Sequence, residues 1–172
     1  MNNNAKILTI NREKITTLSQ FLVLLSIALI VPLFHQQMIT GSIVNATLFL
    51  STMLLGAQFG ILVGLIPSVV ALATGLLPPV LAPMIPFIMI ANTILVLSFN
   101  ALKNKNYWFG AVVASFLKFG FLYFTSSTVI NLLLKKEIAH QVAAMMSWPQ
   151  LLTALAGGVL AYLFMRFYKG TF

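Results

Sequence analysis

Long apolar stretches separated by short polar breaks run through most of the chain. A transmembrane helix needs about 20 predominantly apolar residues, and most of the stretches approach or exceed that length. They continue without the strict alternation of barrel strands, so helices are the expected spanning form. The pattern predicts six transmembrane helices in one membrane domain covering residues 1–172, at residues 17–34, 43–55, 60–76, 82–102, 108–134 and 148–167.

Composition supports an all-α integral membrane protein. Of the 172 residues, 60% are hydrophobic and only 7% are charged, against about 25% charged in soluble domains. Ten basic and two acidic side chains cannot cover a water-facing surface of this size. A lipid bilayer accepts an apolar exterior without cost, so the bilayer is the expected surroundings of this bundle.

The distribution of basic residues predicts the orientation. Cytoplasmic segments of membrane proteins are enriched in Lys and Arg. With the N-terminus inside, the outer side receives only Lys135 and Lys136, while seven basic residues lie inside: Lys6, Arg12, Lys14, Lys103, Lys105, Arg166 and Lys169. We therefore expect both termini in the cytoplasm of a bacterial cell, a multi-pass location in its cytoplasmic (inner) membrane, and outer loops at residues 35–42, 77–81 and 135–147. No basic face belongs to a soluble fold, so no nucleic-acid partner is expected.

Catalytic chemistry has little support in the sequence. There is no Cys, which excludes disulfides and thiolate-bound clusters, and no Asp, which leaves Glu13 and Glu137 as the acidic residues. No nucleophile–base pair and no phosphate-binding glycine motif is present. His35 and His140 lack the companions of a metal site. We expect no catalytic residue, no metal, no cofactor and no enzyme activity.

Polar residues within the apolar stretches are the candidates for binding. An ammonium at mid-membrane is costly, so Lys118 either faces a ligand or the bundle interior, or extends toward the surface. Trp148 either anchors helix six at the interface or stacks on a planar ligand. The candidate substrate-binding residues are His35, Gln37, Asn45, Pro83, Asn92, Lys118, Tyr123, Ser127, Asn131, Trp148 and Gln150. This set holds no acid, so a neutral or anionic planar compound such as a vitamin, nucleobase or cofactor precursor fits it better than a cation.

Glycines at four-residue spacing, Gly56, Gly60 and Gly64, share a helix face and allow another backbone to approach. They serve either packing inside the bundle or docking of a partner. The segment containing them, residues 54–67 with the pattern LLG-x-x-x-G-x-x-x-G, resembles the turn between helices two and three of the substrate-binding S components of energy-coupling factor (ECF) transporters. The opening of helix four, Ala-Pro-Met-Ile-Pro at residues 82–86, is also similar.

The resemblance implies six helices with an inside N-terminus and a high-affinity site for a small-molecule micronutrient near the outer surface. The partners that it implies are a transmembrane coupling protein and two cytoplasmic ATPases. Many members carry Ala-x-x-x-Ala in helix one for docking the coupling protein, and here that helix offers Ser26, Ala28 and Pro32.

Two other functions remain open on the residues alone. A stand-alone secondary transporter would have to work without a carboxylate for ion coupling. A structural membrane subunit would have a solid apolar interior, whereas a binding protein would have a polar cavity between helices four, five and six.

Overall fold

The computed structural model describes residues 3–34, 36–73, 79–133 and 143–170. These residues form helices joined by turns, with no β-strand in the ranges given. Six long helices follow one another: α1 (Asn3–Ile30), α2 (Gln37–Leu54), α3 (Ala57–Ala73), α4 (Ile85–Leu102), α5 (Tyr107–Leu133) and α6 (Trp148–Gly170). Short 3₁₀ segments cover Val31–Phe34 and Pro79–Met84. The prediction of an all-α fold is confirmed for this part of the chain.

Five of the helical segments are long and apolar enough to cross a membrane. They are Arg12–Phe34, Gln37–Leu54, Ala82–Leu102, Tyr107–Thr128 and Ala143–Tyr168. The stretch Ala57–Val70 within α3 is apolar but shorter. Six complete spans therefore remain a prediction, because the described part of α3 is shorter than the about 20 residues that a spanning helix usually needs.

Helix α2 begins earlier than the apolar pattern predicted. Its expected start was residue 43, and residues 35–42 were expected to be an outer loop, but the helix begins at Gln37. The polar side chains of its first turns find partners inside the protein. Gln37 Nε2 donates to the Met145 carbonyl at 2.8 Å, and Thr40 Oγ1 donates to the Val31 carbonyl at 3.2 Å. A polar helical turn is stable here because protein groups satisfy it.

The predicted start of helix one was wrong: it was expected at residue 17, but α1 already covers Asn3. Hydropathy marks the part of a helix that can lie in lipid, and a helix can continue beyond it through polar residues.

The remaining helix boundaries in the described ranges lie near the expected ones. Helix α3 starts at Ala57, directly after Gly56, whose φ of +95° suits a residue without a Cβ. Helix α4 starts at Ile85 instead of residue 82, because the prolines before it favour a 3₁₀ segment. Helix α6 continues to Gly170. The predicted ends at residues 76 and 134 and the loop residues 77–78 and 135–142 lie outside the described residues. The rest of the predicted loop 77–81 belongs to the 3₁₀ segment Pro79–Met84.

The core is a cluster of buried side chains from all six helices, with a smaller cluster containing Met84, Leu122 and Met146 beside it. The rings of Phe49 and Phe99 meet edge to face at 4.7 Å in the larger cluster. Helices α2 and α6 form the most extensive helix pair in the described part. Large apolar side chains such as Phe124 and Phe167 remain on the outside, as expected for a surface in contact with lipid.

Candidate functional site

Lys118 lies near the middle of α5 and points into the bundle. Its side chain is only 4% exposed. The ammonium Nζ donates to Asn45 Oδ1 in α2 at 2.6 Å and to Asn92 Oδ1 in α4 at 2.8 Å. The alternative in which Lys118 extends to the membrane surface is therefore excluded by its contacts, and the lysine faces the interior.

The two asparagines are themselves held by neighbouring helices. Asn92 Nδ2 donates to the Gly64 carbonyl of α3 at 3.0 Å, and Asn45 Nδ2 donates to Thr153 Oγ1 of α6 at 3.4 Å. These two bonds fix which end of each amide is oxygen, so both oxygens turn toward the lysine. Five helices thus contribute to one polar network, which we call the Lys118 network: Lys118, Asn45, Asn92, Thr153 and the Gly64 carbonyl.

Glycine makes the close approach of these helices possible. A Cβ added to Gly157 of α6 would lie 2.6 Å from Asn45 Cβ and 2.8 Å from the Ala46 nitrogen. A Cβ added to Gly64 would lie 3.0 Å from Asn92 Cβ. The absence of a side chain at both positions therefore brings the asparagines close enough to reach their partners.

The Lys118 network carries a cation without a carboxylate among its described members. The sequence has two acidic residues, of which Glu13 is exposed on α1 and Glu137 lies outside the described residues. Every buried side-chain nitrogen or oxygen in the described ranges has a hydrogen-bond partner. The ammonium is therefore stabilised by neutral amide oxygens, which satisfy its hydrogens but do not neutralise its charge.

A cavity of about 230 Å³ lies directly against this network. It is at the end of the bundle where α2, α4 and α6 begin. Asn45, Asn92 and Lys118 form its polar floor. The other described residues around it are Pro32, Gln37, Thr40, Gly41, Val44, Pro67, Ser68, Ile85, Ile88, Met145, Met146 and Gln150.

Met145 joins two of the elements at the mouth of this cavity. Its carbonyl accepts hydrogen bonds from Gln37 Nε2 at 2.8 Å and from Gln150 Nε2 at 3.4 Å. The first bond links the start of α2 to the short helical turn at residues 143–145, and the second links that turn to α6. The two glutamine amides thus help to shape the cavity and present their remaining polar atoms near it.

Five of the predicted binding residues meet around this cavity: Gln37, Asn45, Asn92, Lys118 and Gln150. The structure does not bring four others to it. Trp148 is 65% exposed and stacks on Phe119 with ring centroids 5.4 Å apart, and Tyr123 is 56% exposed. Pro83 and Ser127 are not among its described lining residues. His35 and the side chain of Asn131 lie outside what the structure describes.

Four hydroxyl residues, at positions 125–128, follow one another in α5, and each bonds to the backbone of its own helix. Thr125 Oγ1 donates to the Phe121 carbonyl, Ser126 Oγ to Tyr123, and both Ser127 Oγ and Thr128 Oγ1 to Phe124. Serine and threonine commonly bond to the preceding helical turn in this way. None of the four is among the described residues that line the cavity.

Several residues of the site were missed from the sequence. Thr153 follows Gln150 by one helical turn, and this spacing could have placed both on one face of α6. Met145 contributes a backbone carbonyl, for which side-chain identity gives no signal. Gly64 was considered for packing, whereas its carbonyl also holds Asn92.

The predicted docking residues divide into buried and exposed ones. Ala28, Gly60 and Gly64 are buried, and a Cβ on Gly60 would lie 2.5 Å from Thr52 Oγ1. These three residues serve packing inside the chain, which was the alternative interpretation of the glycine pattern. Ser26 is exposed and Gly56 partly so. Among the proposed docking residues, these two retain surface that a partner can reach.

A larger cavity of about 800 Å³ lies at the opposite end, beside Lys103, Tyr107 and Arg166. There Lys103 Nζ donates to the Thr52 carbonyl at 2.8 Å and Tyr107 OH donates to the Gly158 carbonyl at 2.6 Å. Its lysine and tyrosine are thus already bonded to neighbouring helices. We assign the candidate site to the smaller cavity because a buried network built from five helices forms its floor.

Comparison with known protein families gives one match. The family described as "ECF transporter, substrate-specific component" matches residues 14–166. The chain belongs to this family. The resemblance noted from the glycine turn is thereby confirmed, and the chain is a substrate-specific component of a transporter. The apolar helices and the family together make it a multi-pass membrane protein. Neither the comparison with curated proteins nor that with solved structures produced a match.

The family fits the interior of this structure. A substrate-specific component needs a cavity that can hold a small molecule, and the described helices enclose one with a polar floor and largely apolar walls. The family is one of transporter components and not of enzymes. Among the described residues, no group of three or more His, Cys, Asp or Glu side chains is arranged to hold a metal.

Proposed function

We propose that this chain is the S component of an ECF-type importer and binds a small micronutrient at the outer face of a bacterial cytoplasmic membrane. The observation that carries the proposal is the 230 Å³ cavity bordered by the Lys118 network. A protein that served only to pack other subunits would gain nothing from a buried lysine, whose insertion costs about 2.5–3.5 kcal/mol at mid-membrane. The cavity therefore disfavours the structural alternative.

The outward direction of the cavity is supported by the distribution of charge. The cavity lies at the start of α4, whereas Lys103 and Lys105 directly follow the end of that helix. The basic turn belongs on the cytoplasmic side under the positive-inside rule. The cavity then opens toward the outside, where a scavenged nutrient arrives. This orientation also leaves both termini in the cytoplasm.

Import in this proposal depends on a transmembrane coupling protein and two cytoplasmic ATPases. The chain has no phosphate-binding glycine motif of its own, so the energy of ATP hydrolysis must come from partners. A secondary transporter couples transport to ions, often through intramembrane carboxylates, and the cavity has none among its described lining residues. The partner-dependent importer is favoured over that alternative.

Purification from the native membrane tests this function. The tagged chain is solubilised gently, captured, and analysed by mass spectrometry for both proteins and small molecules. We expect a coupling protein, a pair of ATPases and one enriched metabolite.

Uptake into vesicles supplies the matching control. The chain alone is expected to bind the metabolite without accumulating it, and addition of the captured partners with ATP is expected to produce accumulation. Accumulation by the chain alone would instead identify a secondary transporter. Capture of the chain with neither partners nor metabolite would contradict the proposal.

A further inference from the structure

Lys118 has one ammonium hydrogen left to donate to a ligand. A lysine ammonium has three hydrogens to donate. Two of them go to Asn45 Oδ1 and Asn92 Oδ1. Lys118 also borders the cavity, so its third hydrogen can be donated to a ligand there. A ligand atom at that position must accept a hydrogen bond.

The charge around the ammonium favours an acceptor that is also negative. Both asparagine NH₂ groups donate away from the lysine, to Thr153 Oγ1 and to the Gly64 carbonyl. The atoms that contact Nζ are thus neutral oxygens, and no described lining residue is acidic. A buried cation without a counter-charge is unfavourable, and an anionic ligand group would supply that charge.

The walls of the cavity limit the rest of the ligand. Most of its described lining is apolar, with Met145, Met146, Ile85 and Ile88 among the side chains present. Its volume of about 230 Å³ lies below the ~300–1,000 Å³ of sites for drug-sized ligands. The cavity therefore fits a small molecule with an apolar body and one polar end.

We propose that the substrate is a small organic monocarboxylate whose carboxylate binds Lys118 and whose apolar body contacts the methionine and isoleucine side chains. This inference rests on the proposed function and specifies its substrate class. One ammonium neutralises one carboxylate. A phosphate monoester carries about −1.5 to −2 charges at neutral pH and would leave negative charge buried without a partner. A cationic ligand would be repelled by Lys118.

A single isosteric substitution changes the charge of the site beside Lys118 without changing its shape. Asn45→Asp keeps the size of the side chain and puts a carboxylate where Oδ1 now lies, 2.6 Å from Nζ. The Thr153 hydroxyl, which now accepts from Asn45 Nδ2, can rotate to donate to the new carboxylate. The variant supplies an internal counter-charge for Lys118 and repels an anionic ligand, while a neutral ligand keeps its hydrogen-bonding site.

The experiment exposes the purified full chain in detergent to the low-molecular-weight extract of its source cells. Retained compounds are then identified by mass spectrometry. Binding of the retained compound is measured for the wild type, Asn45→Asp and Lys118→Met, and repeated with its carboxamide. We expect retention of a monocarboxylate, and a loss of affinity of at least about tenfold in both variants and for the carboxamide.

Two control variants carry the same changes far from the cavity. Asn106→Asp adds a carboxylate in the turn before α5, where Asn106 Oδ1 now accepts from the Phe109 nitrogen and an aspartate can do the same. Lys105→Met removes an exposed lysine from that turn. Both are expected to bind as the wild type does. Their melting temperatures, with those of the site variants, show whether each protein is folded.

The outcomes distinguish this inference from the function on which it rests. Retention of a neutral compound, or of an acid that binds folded Asn45→Asp and wild type equally, would overturn the monocarboxylate assignment and leave the S-component function standing. Retention of no compound by the wild type would count against both. Retention of a phosphate ester whose binding depends on Lys118 would also overturn the monocarboxylate assignment. It would confirm an anionic ligand at Lys118 and leave the S-component function standing.

Discussion

Asn92 links three helices through a single side chain. Its oxygen accepts from Lys118 of α5 and its nitrogen donates to the Gly64 carbonyl of α3. The side chain is only 4% exposed, so both of its hydrogen bonds lie inside the bundle. Removing one partner from a buried polar contact costs more than the net value of the bond, because the other partner is left unsatisfied.

Asn92→Leu is therefore expected to lower the free energy of unfolding by about 1–3 kcal/mol. The measurement is denaturant or thermal unfolding in detergent. Asn104→Leu makes the same replacement at an exposed position after α4 and should change stability by no more than about 0.5 kcal/mol. Equal unfolding midpoints for the two variants would show that the Lys118 network contributes little to folding.

The polar residues of the site could be identified from the sequence more readily than the aromatic ones. Asn45, Asn92 and Lys118 are costly in lipid, so their types alone predict that they face inward. Trp148 and Tyr123 are stable both in a pocket and at a lipid interface. Whether they face the pocket or the lipid depends on the rotation of each helix about its axis. An apolar sequence does not specify this rotation.

At the scale of elements, the contact between α2 and α6 depends on a glycine. Gly157 faces the α2 backbone so closely that a methyl group would lie 2.8 Å from the Ala46 nitrogen. Backbone atoms cannot move aside as a flexible side chain can, so the helices would have to separate. Because Asn45 lies at the same contact, separation would also displace an acceptor of the Lys118 network.

Gly157→Ala is expected to destabilise the protein by about 1–3 kcal/mol and to weaken ligand binding. Gly120→Ala is the matched control, because Gly120 is an exposed glycine of α5 with no atom within 4 Å of an added Cβ. That change should stabilise the helix by about 0.5–1 kcal/mol. Unfolding in detergent compares the two, and equal effects would contradict the proposed close approach.

The helix boundaries show where pattern reasoning succeeds and where it does not. Helix α5 was expected to begin at residue 108, and it begins at Tyr107. Its beginning is marked by a strong change in polarity. Helix α2 began six residues before the expected start, because its first turns are polar and satisfied by other helices. Hydropathy measures how favourably a residue moves from water into lipid. It therefore does not detect polar helical turns that are covered by other parts of the protein.

At the scale of the whole molecule, orientation can be tested with single cysteines, since the chain has none of its own. Gln36→Cys lies beside the start of α2 at the cavity end, and Asn104→Cys lies in the turn after α4. A membrane-impermeant maleimide added to intact cells should label the first and not the second. In permeabilised cells both cysteines should be labelled, and the chain without an added cysteine should not be labelled. The reverse pattern would place the cavity on the cytoplasmic side.

The order of the Lys118 network along the chain has a consequence for biogenesis. Asn45 and Asn92 precede Lys118, so α2 and α4 leave the ribosome before α5 does. The oxygens that receive the ammonium are already in the membrane when the lysine enters it. Helix α6 follows and adds Thr153 and Gly157, which close the contact against α2. Substitution of either asparagine is thus expected to reduce the yield of inserted protein during translation, before any ligand is present.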